Sequence, residues 1–137
     1  MNLTIYTSNL PPGVGGRANG PVIRIRPEYR NDKGLHAHEE LHVKQWYFWV
    51  AVGVVVAWLA FTLGYSFWPY AILAGCMAHS LLYTLVPKYK LWSEVQCYKE
   101  QLKHYPDDRS VYFANYLASH YGLKITTEQA YKLLKAS

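Results

Sequence analysis

Residues 36–42 read HAHEELH, and within them His38, Glu39 and His42 form an H-E-x-x-H pattern. On a helix, residues four apart share a face, so His38 and His42 can offer two imidazoles to one metal ion. Glu39, one step round, is placed to take a proton from a water held at that ion, the role of a general base. Two His and one Glu at these places also arise by chance on surface helices. The pattern carries weight only if a third ligand is positioned to meet it.

The segments on either side decide how such a site could be held. Upstream, RNDKG reads as a turn in which Asn31 or Asp32 can cap a helix that runs from Leu35. Downstream, Trp46 to Pro87 contains no Asp, Glu, Lys or Arg, and His79 is its only comparable ionisable group. Gly64 and Pro69, within GYSFWPY, divide this stretch into two apolar arms, 47–63 and 70–86, of seventeen residues each. A helix spans a bilayer with about 20 residues and with about 17 at the low end. The arms therefore predict a transmembrane hairpin, with two long helices buried in an oligomer as the soluble alternative. Trp46, Tyr47, Trp49, Tyr83, Tyr89 and Trp92 gather near the outer ends of the arms, and Lys44, Lys88 and Lys90 flank them. Aromatic belts and positive flanks are what a membrane interface selects, and they predict both chain ends on the cytoplasmic side.

A hairpin turning near position 67 sets Glu40, the midpoint of the motif, level with position 94, within about one helical turn of four residues. Position 94 is a glutamate. Between Val86 and Pro106 the only acids are Glu94 and Glu100, and Glu94 lies beside Trp92, Val95 and Cys97, where the helix is still half apolar. Glu94 is thus the expected third ligand.

HEELH followed by SEVQCY resembles the gluzincin class of zinc metallopeptidases, in which a second helix returns a glutamate to the metal. SEVQCYKEQL is also similar to small predicted metallopeptidases carried by bacteriophages. The resemblance covers the strand VIRIR, the motif helix and the Glu94 helix, about half the chain. It implies Zn2+ held by His38, His42 and Glu94, with Glu39 as general base and a peptide or protein as substrate. In that pattern a small residue stands three after the glutamate, a place filled here by Cys97. Many members have an aspartate four after the glutamate, where this chain has Tyr98. The Tyr98 hydroxyl could accept an imidazole N–H or donate to the oxyanion of a tetrahedral intermediate, and the sequence leaves both roles open.

Other candidates have simpler explanations. His36 falls on a different helical face from His38 and reads as an exposed histidine. His79, inside the second arm, has no acidic partner nearby in sequence and reads as a hydrogen-bonded packing residue. Tyr98, His104 and Tyr105 are potential transition-state donors, and Cys97 reads as a small packing residue with a cysteine-substituted site left open.

The remaining sequence sets the frame. With 137 residues the chain suits one domain: loop and short strand over 1–34, motif helix, apolar hairpin and glutamate helix over 35–105, and C-terminal helices over 106–137. PVIRIRP alternates between two prolines and predicts a short β edge strand, which could take an extended peptide along Val22–Arg26. Residues 1–20 are rich in Pro and Gly and predict loop around at most one strand, LTIY. PDDRSVYFANYLASHYG reads as a helix opened by Asp107 or Asp108, and ITTEQAYKLLKA as a last helix with a Thr126/Gln129 capping box. The formal net charge is +5, yet the fourteen Lys and Arg form no dense block, which favours solubility or attraction to an anionic membrane over a dedicated nucleic-acid site, and no nucleic-acid partner is expected. Two cysteines without metal-knuckle spacing argue against a disulfide framework, and the amino terminus shows no cleavable signal peptide.

The fold expected is mainly α, with the motif helix and the glutamate helix joined by the apolar hairpin. The function expected is zinc-dependent peptide hydrolysis at a membrane. Two rivals stand beside it. One is a non-catalytic zinc-binding structural protein of a phage particle or membrane assembly, with phage structural proteins or further copies of this chain as partners. The other is a metal-free membrane protein or hairpin toxin, with no bound zinc.

Overall fold

The computed structural model describes residues 2–136. Five α-helices follow a small N-terminal sheet: β1 (Leu3–Tyr6), β2 (Gly16–Asn19), β3 (Val22–Ile25), α1 (Lys33–Thr62), α2 (Trp68–Leu85), α3 (Pro87–Leu102), α4 (Ser110–His120) and α5 (Thr127–Lys135).

The Asp32 side chain caps α1 by accepting from the Leu35 backbone N–H at 2.9 Å. With no proline inside it, α1 then runs unbroken for 30 residues, about 45 Å. The motif and the first apolar arm are therefore parts of one rigid rod. Gly64, at a positive φ of 78°, helps to reverse the chain after α1.

α2 packs back along α1 at very short range. A Cβ on Gly53 would lie 2.7 Å from the Ala71 carbonyl oxygen and 2.9 Å from the Gly75 Cα. The crossing thus depends on two residues that have no side chain. Trp46 fastens the motif-side end of the pair by donating from Nε1 to the Cys76 carbonyl at 2.8 Å.

α2 does not run on into the glutamate helix. Pro87 lacks the N–H needed to continue α2, Val86 is extended, and the axes of α2 and α3 differ by 101°. This corrects the straight register used to place Glu94. The glutamate reaches the motif because α3 folds across α1. Tyr105 ties the far end of α3 to the start of α1: its hydroxyl donates to the Asp32 carboxylate at 2.9 Å and accepts from Gln101 at 2.8 Å.

β3 lies in the middle of the sheet, in the order β1-β3-β2, parallel to β1 and antiparallel to β2. The edge-strand expectation for Val22–Ile25 is therefore overturned. GRAN, read from sequence as loop, forms the outer strand β2. Ile23 and Ile25 are fully buried against Val43 and Leu35 of α1, while Arg24 faces out, the alternation of a sheet with one packed face.

A second core joins α3, α4 and α5 around Val95, Phe113, Leu117, Ala130 and Leu134. Asp108 accepts from the Ser110 N–H at 2.9 Å at the head of α4, and Thr126 and Gln129 complete the capping box of α5.

Among the described residues, α1 alone is long and apolar enough to cross a membrane, and only 22% of its most apolar window is buried within the protein. α2 and α3 meet the same standard together, across their bend. Trp58 and Phe61 on α1, Leu63 just after it, and Tyr70 and Leu85 on α2 are among the large side chains left uncovered.

Candidate metal centre

α1 brings His38 and His42 to one face, one turn apart, with ring centroids 5.1 Å from each other. α3 lays Glu94 across them. Its two oxygens oppose the two rings: His38 Nε2 stands 3.4 Å from Oε2 and His42 Nε2 stands 3.4 Å from Oε1. These separations exceed the roughly 2.7–3.2 Å of an N–H···O hydrogen bond. Two ligand atoms on a tetrahedral ion lie about 3.4 Å apart when its bonds are about 2.1 Å, so each His–Glu94 pair taken singly has a separation that a shared ion could hold.

All three side chains are buried, and Glu94 is 1% exposed. Its Oε2 and the His38 Nδ1 have no hydrogen-bond partner among the described residues. A buried carboxylate oxygen left in this state is costly unless a cation completes it. The donor set therefore fits a divalent metal. Burial works against charge on Glu94, yet the two imidazoles hold its carboxyl well below the usual glutamate range.

Cys97, one turn after Glu94, joins the group. Its Sγ and ligand atoms of His38 and His42 all lie within 4.8 Å of one another, so these three buried residues could hold a metal ion. The sequence offered Cys97 chiefly as a small packing residue; the structure places it among the imidazoles, fully buried.

Several groups around the site were not singled out from sequence. Ser93 Oγ donates to Gln45 Oε1 at 2.6 Å, and that oxygen stands 3.3 Å from His42 Nδ1. Against the cost of burial, the His42 ring beside Glu94 favours its protonated form; with an ion bound, an Nδ1–H donated to Gln45 would leave the Nε2 lone pair for the metal. The Tyr83 hydroxyl, from the last turns of α2, donates to Glu94 Oε1. Gln45 stands one helical turn after His42 on the same face of α1, whereas no spacing rule links Tyr83 or Ser93 to the motif, because packing brings them in.

Glu39 turns from the imidazoles toward the sheet. The Ala18 backbone N–H donates to its carboxylate, and a Cβ on Gly16 would come within 2.9 Å of its Oε1. Burial pushes this carboxyl up from its ordinary value, against the pull of His38 and His42. The β2 ladder explains the Ala18 contact. Arg26 N–H donates to the Gly15 carbonyl, so pairing alternates from that position and the backbone groups of Gly16 and Ala18 point away from β3. β2 thus presents them along its outer edge, with which no strand pairs among the described residues.

The remaining candidates are placed elsewhere or otherwise engaged. The Tyr98 ring packs edge-on against His38, with centroids 4.5 Å apart, while its hydroxyl bonds to the Tyr121 hydroxyl at 2.8 Å and to no imidazole. His79 Nδ1 is hydrogen-bonded to the Tyr89 hydroxyl, whose oxygen accepts from Trp49 Nε1. His36 and His104 line a shallow cleft on another face of α1, with Glu40 and Lys44.

Comparison of the chain with protein-family models, with curated proteins and with solved structures finds no match in any of the three.

Proposed function

We propose that this chain is a zinc-dependent peptidase of the gluzincin type, held in a membrane by the apolar hairpin of arms 47–63 and 70–86. The observation that carries the reading is the 3.4 Å spacing of His38 Nε2 and His42 Nε2 from the two oxygens of Glu94. His38, His42 and Glu94 would hold the ion. Zinc, when bound, supplies Lewis-acid polarisation of a carbonyl and acidifies a water.

The chain's own residues do the rest. Gln45 and Ser93 keep the His42 tautomer, and Tyr83 orients Glu94. Glu39 takes the proton of the attacking water and returns it to the leaving amine. An extended peptide pairs with the outer edge of β2, whose outward-facing backbone groups at Gly16 and carbonyl of Ala18 lie level with Glu39. That strand replaces Val22–Arg26 as the substrate edge.

One observation favours a second reading. With Cys97 beside both imidazoles, four protein ligands would close the coordination sphere and make the site structural. Elemental analysis of detergent-purified protein, with Glu94→Ala and Cys97→Ser beside wild type, tests both. The peptidase reading expects about one zinc per chain in wild type, loss in Glu94→Ala, retention in Cys97→Ser, and casein cleavage that Glu39→Gln abolishes. Loss of zinc in Cys97→Ser, with no cleavage by wild type, would install the structural site. No zinc in wild type after remetallation would leave a metal-free membrane protein.

A further inference from the structure

β2 runs alongside α1, and three contacts fix its course. Gly15 lies against Leu35, Gly16 against Glu39, and Gly20 against the indole of Trp46. The strand therefore travels in the same direction as the helix, from the start of α1 toward the apolar arm. Trp46 marks where that arm begins. Because α1 is one unbroken helix, the level of Glu39 above the arm is set by the helix itself and by no hinge.

We propose that the substrate is the stalk of a membrane-anchored polypeptide, cut about three residues from the point where it leaves the bilayer. The inference rests on the peptidase reading above. Trp46 stands seven positions after Glu39, a rise of about 10 Å along a helix. An extended chain on the outer edge of β2 covers that distance in about three residues, at about 3.3 Å each. Past Gly20 such a chain meets Trp46 and the membrane interface, where an anchored substrate has its span and a free peptide has nothing to hold. The wall of the site on that side is built from the second arm: Tyr83 touches Glu94, and the rings of His79 and His42 lie 6.1 Å apart. The site is therefore continuous with the apolar arms.

The test uses the full chain, zinc-loaded, in phosphatidylcholine vesicles. The probe is a synthetic peptide with an alanine-leucine span of about 20 residues and an unstructured Ser/Ala/Phe stalk at each end, so that either orientation presents one. Stalk length is varied, and the free stalk and casein are run in parallel. Mass spectrometry is expected to show cuts that leave about three stalk residues on the span at every stalk length. The anchored stalk should be cut at least about tenfold faster than the free one, since confinement to the vesicle raises its effective concentration. Casein cleavage together with equal rates on free and anchored stalks, or a cut that moves with stalk length, overturns this inference and leaves the peptidase standing. No cleavage of any substrate above the Glu39→Gln background overturns both.

Discussion

His42 Nδ1 stands 3.3 Å from the side-chain oxygen of Gln45, three residues further along the same helix, and Ser93 of α3 donates to that same oxygen at 2.6 Å. A histidine whose outer nitrogen is held in this way presents its other nitrogen in one tautomer and one orientation. Gln45→Leu removes the acceptor and leaves Ser93 and His42 to find other partners. Zinc affinity, read by competition with a chromophoric chelator, should fall about 10–100-fold, with the helical circular dichroism unchanged. Unchanged affinity would mean that the Gln45 contact does not orient the ring.

In the proposed peptidase, Glu39 should set the acid limit of activity. Its carboxyl is pushed up by burial, and a general base works only when ionised, so the active form is present above the raised value and lost as pH falls through it. The acid limb of kcat/KM should therefore lie above the about 4.3 of an unperturbed glutamate. Glu39→Gln should lower kcat about 100–10,000-fold while zinc stays bound. A limb at or below the ordinary value would remove Glu39 from that role.

Gly16 leaves the room that the Glu39 carboxylate occupies. A Cβ there would stand 2.9 Å from Oε1 and 3.0 Å from Cγ, so Gly16→Ala must push the end of a flexible side chain aside. A displacement of about 1 Å in a catalytic group can cost about 100-fold in rate. The expected outcome is zinc content and melting temperature near wild type with kcat reduced about 10–100-fold, measured on casein. Full activity would show that the carboxylate tolerates the shift.

Gly53 tests the apolar arms independently of the chemistry. A Cβ at this position meets backbone atoms of Ala71 and Gly75 at 2.7 and 2.9 Å, and backbone cannot swing away as a side chain can. Gly53→Val should separate α1 from α2 and cost about 1–3 kcal/mol or more, read as a lower melting temperature in detergent. The variant should also loosen the Trp46 bond to Cys76, visible as a change in tryptophan fluorescence. Wild-type stability would mean that the two helices do not approach as closely as described.

What the sequence determined is local in its physics. The four-residue spacing of His38 and His42 is a helical spacing, Asp32 is a capping residue at the right place, and Thr126 and Gln129 form a capping box because they stand three apart. The absence of charge from Trp46 to Pro87 likewise marks the long apolar helices whatever they pack against. Glu94 could be singled out because only two acids occur between Val86 and Pro106, although the straight hairpin used to reach it is broken at Pro87. Tertiary structure decided the rest. GRAN has no β-branched residue to mark it as a strand, and it becomes one only because β3 offers a ladder on that side. Ser93 and Cys97 join the imidazoles because α3 crosses α1 at a bend of 101° from α2, and Tyr83 reaches Glu94 from the end of α2. That angle belongs to the packing of three helices, and no window of sequence shorter than all three contains it.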